Sequence, residues 1–526
     1  MYKNYRKFLL AAVAAAGLAG LAGCSEENSK PADSTQKKQL IYGMDSEIEK
    51  VNPVLDESQE IDTLLFRGLT KPDKENQVTP DLAESWEISK DQLVYTFKLR
   101  RDAKWQDGKP VTAKDVKFTF DQIKNPATNT PIAGEFNEIK SVEATGDYEV
   151  KMTLHRPFPS LLDKLKIGIV PEHILRGENM NETEFNQNPV GNGPFKLKEW
   201  GSDHTIILER NDDYYGAAPK LDEVVFKAVP DANTRALQLK TGEIDLAIME
   251  PNQLAGVKEN DPYAVHEVST ADYRAVMYNF DLPLFQDKRV RQAMNLAVNR
   301  EELVKGVLAG KGEAAYGPLQ KSWAGASQKE AYTYNEKKAK QLLADAGWVK
   351  GSDGVLVKDG KRFEFELVSP IQDTVRVVLA NVVSEQLKPF GIKAVPKPVD
   401  QHAVKYDGEE ALIIGWGSEF DPDDHTYRLF HSSEIGDGQY NFGSYRNEKV
   451  DDLLMKARTT ANREMRKTYY KQFQEELAVD PPYNFLVYLE ALYGLNKNVT
   501  GISTRTLGHH GFGVLWNIEE WDKKVN

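Results

Sequence analysis

The sequence contains almost no cysteine: among 526 residues, only Cys24 can form a thiol. An internal disulfide is therefore excluded. Long apolar runs are equally scarce, and the most apolar segment, residues 8–22, is too short for a typical membrane span. Positive charge is in deficit as well, with a formal net charge of −13, which argues against nucleic acids and other polyanions as partners.

Hydrolase motifs are also missing. The chain has neither G-x-S-x-G nor H-E-x-x-H, which place a nucleophilic serine or a catalytic zinc in two large hydrolase classes. A secreted hydrolase is therefore only a distant alternative. The chain is 40% hydrophobic and 28% charged, the composition of an ordinary globular protein. Its length predicts more than one lobe, because one hydrophobic core rarely serves so many residues.

The N-terminus has the pattern of a bacterial lipoprotein leader. Lys3, Arg6 and Lys7 precede the apolar residues 8–22, which is typical of a signal peptide. Leu21-Ala22-Gly23-Cys24 resembles the lipobox, in which cleavage before the cysteine is coupled to lipid transfer onto its sulfur. We therefore predict a signal peptide over residues 1–23. Lipid on Cys24 would anchor the protein outside the cytoplasmic membrane.

A flexible tether is predicted over residues 24–39, which contain no large apolar side chain before Leu40.

Farther along, Ala411 to Ile414 form a short apolar run that predicts a buried strand of a parallel sheet. A polar loop follows, with Trp416, Glu419 and Asp421. Since ligands bind beyond the carboxyl ends of strands in α/β sheets, we expect this loop to contribute to a binding site.

A series of distinctive motifs follows in a fixed order along the chain. The segments are LAESW at 82–86, YTFKLR at 95–100, WQDGKPVTAKDV at 105–116, VPEHI at 170–174, NPVGNGPF at 188–195, RNDDYY at 210–215, TGEID at 241–245, KRVRQA at 288–293 and AVNR at 297–300. This series resembles the extracytoplasmic solute-binding proteins of the oligopeptide, dipeptide and nickel ABC importer family. Overall, the sequence is most similar to the App-type oligopeptide-binding lipoproteins of that family.

This resemblance implies an α/β, bilobed, periplasmic-binding-protein-like fold with two lobes joined by a hinge. Lobe I is expected to comprise residues 40–80, 190–275 and 491–526. A subdomain inserted into it is expected over residues 81–189. Lobe II is expected to comprise residues 276–490. The ligand would be enclosed when the hinge closes.

The function implied by the resemblance is capture of short peptides and their delivery to an ABC permease with its ATPase subunits. The protein is expected to be a monomer, not an enzyme, with no cofactor and no nucleic-acid partner. The family also includes binders of nickel or of a nickel chelate, which is the alternative cargo.

Peptide binding would need charged groups for the two peptide ends, because an unpaired charge enclosed between lobes is costly. By position relative to Trp416, the resemblance makes Glu419 or Asp421 the partner of the peptide amine. Arg274, in an otherwise almost apolar segment, is the candidate for the carboxylate. We expect the loop to face the cleft across from Arg274.

Three further residues are weaker candidates for the peptide site. Tyr278 and Tyr440, with Trp416, could form flat apolar walls. Glu47 lies in an acidic loop after the first predicted strand. For the nickel alternative, His509 and His510 are the candidate ligands, and their flanking glycines would permit a loop in which both side chains reach one ion.

Overall fold

The computed structural model describes residues 37–55, 60–326 and 328–525. Cys24, the predicted signal peptide and most of the predicted tether lie outside these residues, so their assignments stay predictions. Within the described part of the chain, no helix has both the length and the apolar character required to cross a bilayer.

Twenty-two strands and fourteen α-helices make up the described fold. The strands are Gln39–Met44 (β1), Thr70–Pro72 (β2), Val78–Pro80 (β3), Ala83–Ile88 (β4), Val94–Leu99 (β5), Ile139–Gly146 (β6), Glu149–Leu154 (β7), Phe195–Trp200 (β8), Ile206–Arg210 (β9), Glu223–Ala228 (β10), Leu246–Ile248 (β11), Tyr263–Tyr278 (β12), Gly312–Ala314 (β13), Val349–Lys350 (β14), Leu356–Lys358 (β15), Lys361–Arg362 (β16), Glu364–Pro370 (β17), Lys393–Val399 (β18), Ala411–Trp416 (β19), Tyr483–Asn496 (β20), Val499–Thr500 (β21) and Asp522–Lys523 (β22). The helices are Glu60–Leu65 (α1), Ala113–Ile123 (α2), Leu161–Lys164 (α3), Glu172–Leu175 (α4), Ala232–Thr241 (α5), Pro283–Gln286 (α6), Lys288–Ala297 (α7), Arg300–Val307 (α8), Lys329–Tyr332 (α9), Glu336–Asp345 (α10), Thr374–Leu387 (α11), Tyr427–Phe430 (α12), Glu448–Thr459 (α13) and Arg463–Val479 (α14).

Two long antiparallel strands, β12 and β20, join the two halves of the molecule. They pair along most of their length in the centre of an 11-stranded sheet ordered β18-β17-β19-β12-β20-β11-β1-β10-β9-β8, with β13 added beside β20. The strands on one side come from the N-terminal part of the chain, and those on the other side from the part after residue 276. This is the bilobed α/β architecture, with the hinge in β12 and β20.

Each half has its own hydrophobic core. One core runs from Leu40 through the predicted inserted region and includes residues as late as Trp521. Two others are built from residues after 272, around Phe285 and Tyr445 respectively. The C-terminal residues therefore return to pack against the first half, as the predicted lobe I assignment requires. The exact lobe boundaries stay predictions.

A separate four-stranded antiparallel sheet, β4-β5-β7-β6, lies within the predicted inserted region. Helix α2 packs against it and begins directly after the N-cap residue Thr112. The Asp115 carboxylate accepts a 2.8 Å hydrogen bond from the backbone N–H of Thr112. This capping contact satisfies a backbone donor at the start of the helix.

Strand β19 confirms the buried strand predicted from the apolar run, with Ala411, Leu412 and Ile413 inaccessible to solvent. Its pairing differs from the prediction of a parallel sheet. β19 is parallel to β17 but antiparallel to β12. Burial on both faces explains the apolar run, and such burial also occurs in the centre of a mixed sheet.

Candidate functional site

A cavity of about 160 Å³ lies between the two halves of the molecule. Residues 132–136 and 160–167 of the predicted insertion form one wall, and residues 419–428, after β19, form the opposite wall. The third wall comes from residues 508–512 near the C-terminus. This volume lies below the roughly 300–1,000 Å³ of common drug-sized ligand pockets.

Polar contacts join the walls of this cavity. The Lys164 ammonium lies 2.8 Å from the Asp424 carboxylate of the opposite wall and 3.1 Å from the Glu135 carboxylate of its own wall. The Asn76 amide donates to the backbone carbonyl of Glu419 at 3.1 Å. The two lobes are therefore held together around the cavity, which corresponds to a closed form of the hinge.

One cationic side chain of the cavity, Lys166, is more than 3.5 Å from any carboxylate oxygen of the described residues. The Lys166 ammonium is 4.0 Å from the nearest Glu419 carboxylate oxygen and 3.3 Å from the centre of the Phe420 ring. Burial lowers the pKa of Lys166 below its ordinary value, although Glu419 opposes this shift. Lys166 and Glu419 together offer the cavity one group of each charge.

Two adjacent histidines lie in the C-terminal segment of the site, where His509 lines the cavity and the exposed His510 adjoins it. The centroids of the His509 and His510 rings are 3.9 Å apart, and candidate ligand atoms of Asp272, His509 and His510 lie within 4.8 Å of one another. Adjacent side chains diverge on a strand, but here His510 has φ of +57° within a short 3₁₀ turn at His509–Gly511. This left-handed residue brings both rings to the same place.

The protonation of the two histidines favours metal binding. Burial lowers the pKa of His509 below its ordinary value. The neighbouring His509, followed by burial, lowers the pKa of His510 well below its ordinary value. Both rings are consequently neutral at physiological pH, and only a neutral imidazole binds a metal ion.

Trp416 forms part of the histidine environment. Its ring stacks with the His509 ring at a centroid distance of 5.8 Å and an interplanar angle of 23°, and the His425 ring lies 5.3 Å away. Trp416 itself does not line the cavity in the described residues, so its predicted contact with the ligand stays a prediction. Tyr440 contacts the Trp416 ring edge-on at 5.6 Å, which makes it a support for that ring.

Of the two acids predicted to bind a peptide amine, only Glu419 offers a carboxylate without a close counter-ion. Asp421 touches the cavity, but its two carboxylate oxygens accept hydrogen bonds of 2.7 and 2.5 Å from the Arg466 guanidinium. Asp421 is 5% exposed and Arg466 is 4% exposed. The charge of Asp421 is therefore neutralised within the protein, and its role as a ligand anchor stays a prediction that this pairing does not favour.

Arg274 also differs from its prediction. It lies on β12 directly beside Gly415 of β19, and not across the cleft from the loop. Its guanidinium pairs with the Asp272 carboxylate and, at 3.2 Å, with Asp373. Arg274 is only 2% exposed and has two acidic partners, so the structure favours a structural role, and its pairing with a ligand carboxylate stays a prediction.

Two more predicted residues lie away from the cavity. Tyr278 is completely buried and stacks on Phe285 with centroids 5.1 Å apart, so it belongs to the core of the second half. The Glu47 side chain is 51% exposed, and its carboxylate lies 3.7 Å from His204. Both corrections have the same cause: the sequence indicated residue types that suit a site but not the direction of the side chains.

Three residues of the site were not predicted from the sequence: Asp272, Lys166 and Asp163. Asp272 had a usable signal, since it is an acid two residues before Arg274 in a nearly apolar strand. The other two had none, because only the packing of the insertion against residues 419–424 brings them to the cavity. Burial and then the Asp421 carboxylate raise the pKa of Asp163 to about 7.

Comparison with known proteins gives this arrangement a family. The model of the bacterial extracellular solute-binding proteins, family 5, middle region, matches residues 77–437. The chain belongs to this family. The family 5 resemblance and its bilobed fold are therefore confirmed. Its members are extracytoplasmic binding proteins of ABC importers and are not enzymes, so the chain is a solute receptor that works with a permease and its ATPase.

Individual family 5 relatives carry different cargo. The chain is 35% identical to the oligopeptide-binding protein AppA of Bacillus subtilis, over 89% of this chain and 87% of that protein. A structure of AppA with a nonapeptide has 34% identity and a TM-score of 0.82, covering 93% of this chain and 99% of AppA. A structure of NikZ from Campylobacter jejuni with Ni(L-His) has 41% identity and a TM-score of 0.87, covering 93% of this chain and 100% of NikZ.

Proposed function

We propose that this family 5 receptor captures nickel as a small amino-acid chelate and delivers it to an ABC permease. The observation that carries the proposal is the pair of neutral imidazoles, His509 and His510, whose ring centroids lie 3.9 Å apart, with His509 on the wall of a cavity of only about 160 Å³. Imidazole nitrogen is a preferred ligand of divalent nickel. A chelating amino acid would fill further coordination positions and still fit this space.

The charges in the cavity suit such a cargo. An amino-acid chelate carries a carboxylate, and Lys166 is a cation in the cavity with no acidic oxygen closer than 4.0 Å. Trp416 covers the His509 ring and limits its movement. The relationship to NikZ, which was solved with Ni(L-His), supports the same class of cargo for this chain.

Short peptides are the second candidate. The Glu419 carboxylate reaches the cavity, with the Lys166 ammonium 4.0 Å away and Arg505 also near enough to interact with it, and such a group could take a peptide amine. The similarity to the oligopeptide-binding AppA favours this cargo too. A peptide of several residues would require a larger cavity than the present one, which is why we place it second.

Calorimetry tests the choice of cargo. The protein is titrated with NiCl₂ alone, with NiCl₂ plus L-histidine, and with a mixture of short peptides, and each titration is repeated on His509→Gln and His510→Gln. We expect binding of nickel with histidine and a loss of at least roughly tenfold in each variant, since nickel would lose one ligand bond worth about 1.4 kcal/mol or more. His204→Gln is the control, because His204 is exposed and outside the cavity.

Binding of peptides without any response to nickel would overturn the nickel proposal in favour of the second candidate. The mature protein would reach its permease as a monomer held at the membrane by lipid on Cys24. Mass spectrometry of the membrane fraction tests this anchor, because lipidated protein has a modified N-terminal cysteine and Cys24→Ser abolishes the modification.

A further inference from the structure

Asp272 lies directly behind the two histidines. Its Oδ1 is 2.8 Å from Nδ1 of His509, and its Oδ2 accepts a 3.0 Å hydrogen bond from the backbone N–H of His510. The Oδ1 atom also pairs with the Arg274 guanidinium. Asp272 is 1% exposed, so both of its oxygens face protein groups and neither is presented to the cavity.

The charge state of Asp272 determines which atom carries the proton of the imidazole. Asp272 Oδ1 pairs with the buried Arg274 guanidinium and Oδ2 accepts the backbone N–H of His510, so that the carboxylate is held in its ionised form. An ionised carboxylate only accepts hydrogen bonds. A neutral His509 next to it must therefore carry its proton on Nδ1 and leave the lone pair on Nε2.

The Nε2 atom of His509 is available to a ligand. The His509 side chain is 23% exposed and lines the cavity. Its one hydrogen bond to the described residues is made by Nδ1. The bond to Asp272 also fixes His510, whose left-handed backbone conformation is uncommon for a residue with a side chain. Strained residues held by their surroundings are concentrated at functional sites.

We propose that Asp272 is a positioning residue of the nickel site: it holds His509 as the Nδ1–H tautomer, so that Nε2 faces the cargo, and it fixes His510 beside it. The positioning role rests on the proposed nickel function. The tautomer of His509 does not depend on that function. Carboxylates that orient metal-binding histidines in this way commonly contribute 10–100-fold to metal affinity.

The test is a two-bond ¹H–¹⁵N spectrum of the nickel-free, ¹⁵N-histidine-labelled protein, with His509 assigned through His509→Gln. We expect a protonated Nδ1 and an unprotonated Nε2 for His509. Asp272→Asn places an amide donor against either the His509 and Arg274 side or the His510 N–H side. We therefore expect this variant to lose the single tautomer and to bind nickel with histidine about 10–100-fold more weakly.

Asp107→Asn is the matched control. Asp107 contacts Nε2 of His173 at 2.7 Å, which is a similar acid–histidine pair outside the cavity. This variant should alter the His173 signals and leave nickel affinity unchanged. If His509 of the wild-type protein is protonated on Nε2, the inference is overturned. This measurement uses the wild-type protein and therefore does not depend on whether a variant folds.

Two other outcomes separate the inference from the proposed function. Unchanged nickel affinity in Asp272→Asn overturns the positioning role even when the proposed function holds. If the wild-type protein does not bind nickel at all, the proposed function fails, and so does the positioning of a metal ligand, although an Nδ1–H signal would still confirm the tautomer.

Discussion

The Asp421–Arg466 pair offers the sharpest test of the difference between a structural acid and a ligand anchor. Both side chains are almost fully buried and are joined by two short hydrogen bonds. Asp421→Asn would leave the guanidinium buried without its counter-charge. Breaking a buried ion pair by removing one partner costs about 3–5 kcal/mol, and two charge-assisted hydrogen bonds of about 1.5–3 kcal/mol each give a similar sum.

We therefore expect the free energy of unfolding of Asp421→Asn, measured by urea denaturation, to fall by about 3–5 kcal/mol. The double variant Asp421→Leu/Arg466→Met should recover most of this loss, because a buried pair can be replaced by apolar side chains at little cost. Asp452→Asn is the control, since Asp452 makes only an exposed pair with Lys456 and should cost under about 0.5 kcal/mol. Full stability of Asp421→Asn combined with a large loss of cargo affinity would refute the reasoning.

Three further predictions concern the cavity and its C-terminal wall. The stability of Asp163→Asn relative to wild type should increase as the pH rises from 4 to above 7. The folded pKa of Asp163, about 7, exceeds its unfolded value, so the wild-type protein loses stability across that window. Denaturation curves of both proteins at pH 5 and pH 8 check this, and an equal difference in unfolding free energy at the two pH values would contradict it. Lys164→Met removes the contact to Asp424 across the cavity and the contact to Glu135. Calorimetry should show a roughly tenfold or greater loss of cargo affinity, equivalent to about 1.5–3 kcal/mol. Unchanged affinity would contradict a role of Lys164 in closure. Glu60→Gln replaces the carboxylate that accepts the backbone N–H groups of Gly513 and Val514 at 2.6 and 3.0 Å. Urea denaturation should show that the free energy of unfolding falls by about 1.5–3 kcal/mol. An unchanged free energy of unfolding would contradict this.

Local patterns in the sequence were enough to predict the buried strand at Ala411 to Ile414. This strand depends on neighbours in the chain, so residue type and run length were sufficient to find it. The loop after that strand lines the cavity between the lobes, and its part in binding a ligand stays a prediction.

The roles of individual charges could not be predicted in the same way. The partner of Asp421 is Arg466 on helix α14, which lies 45 residues later in the chain. Lys166 reaches the cavity only when the two lobes meet. A charged residue in a suggestive motif can serve the ligand or the fold, and the distinction depends on contacts between segments that are distant in sequence.

The left-handed conformation of His510 was equally inaccessible from residue order. Flanking glycines permit such a turn, but its geometry is set by the Asp272 carboxylate, which lies on β12. The sequence therefore predicted the two histidines as a pair of candidate ligands, and the contact with Asp272 supplies the reason that both rings meet at one point.

The most direct test of the central claim is a crystal structure of the protein with nickel and L-histidine, with data collected on both sides of the nickel absorption edge. We predict one anomalous peak in the cavity within about 2.0–2.2 Å of Nε2 of His509, with His510 contributing a second nitrogen. A cavity that contains a peptide, or a nickel peak away from both histidines, would contradict the account.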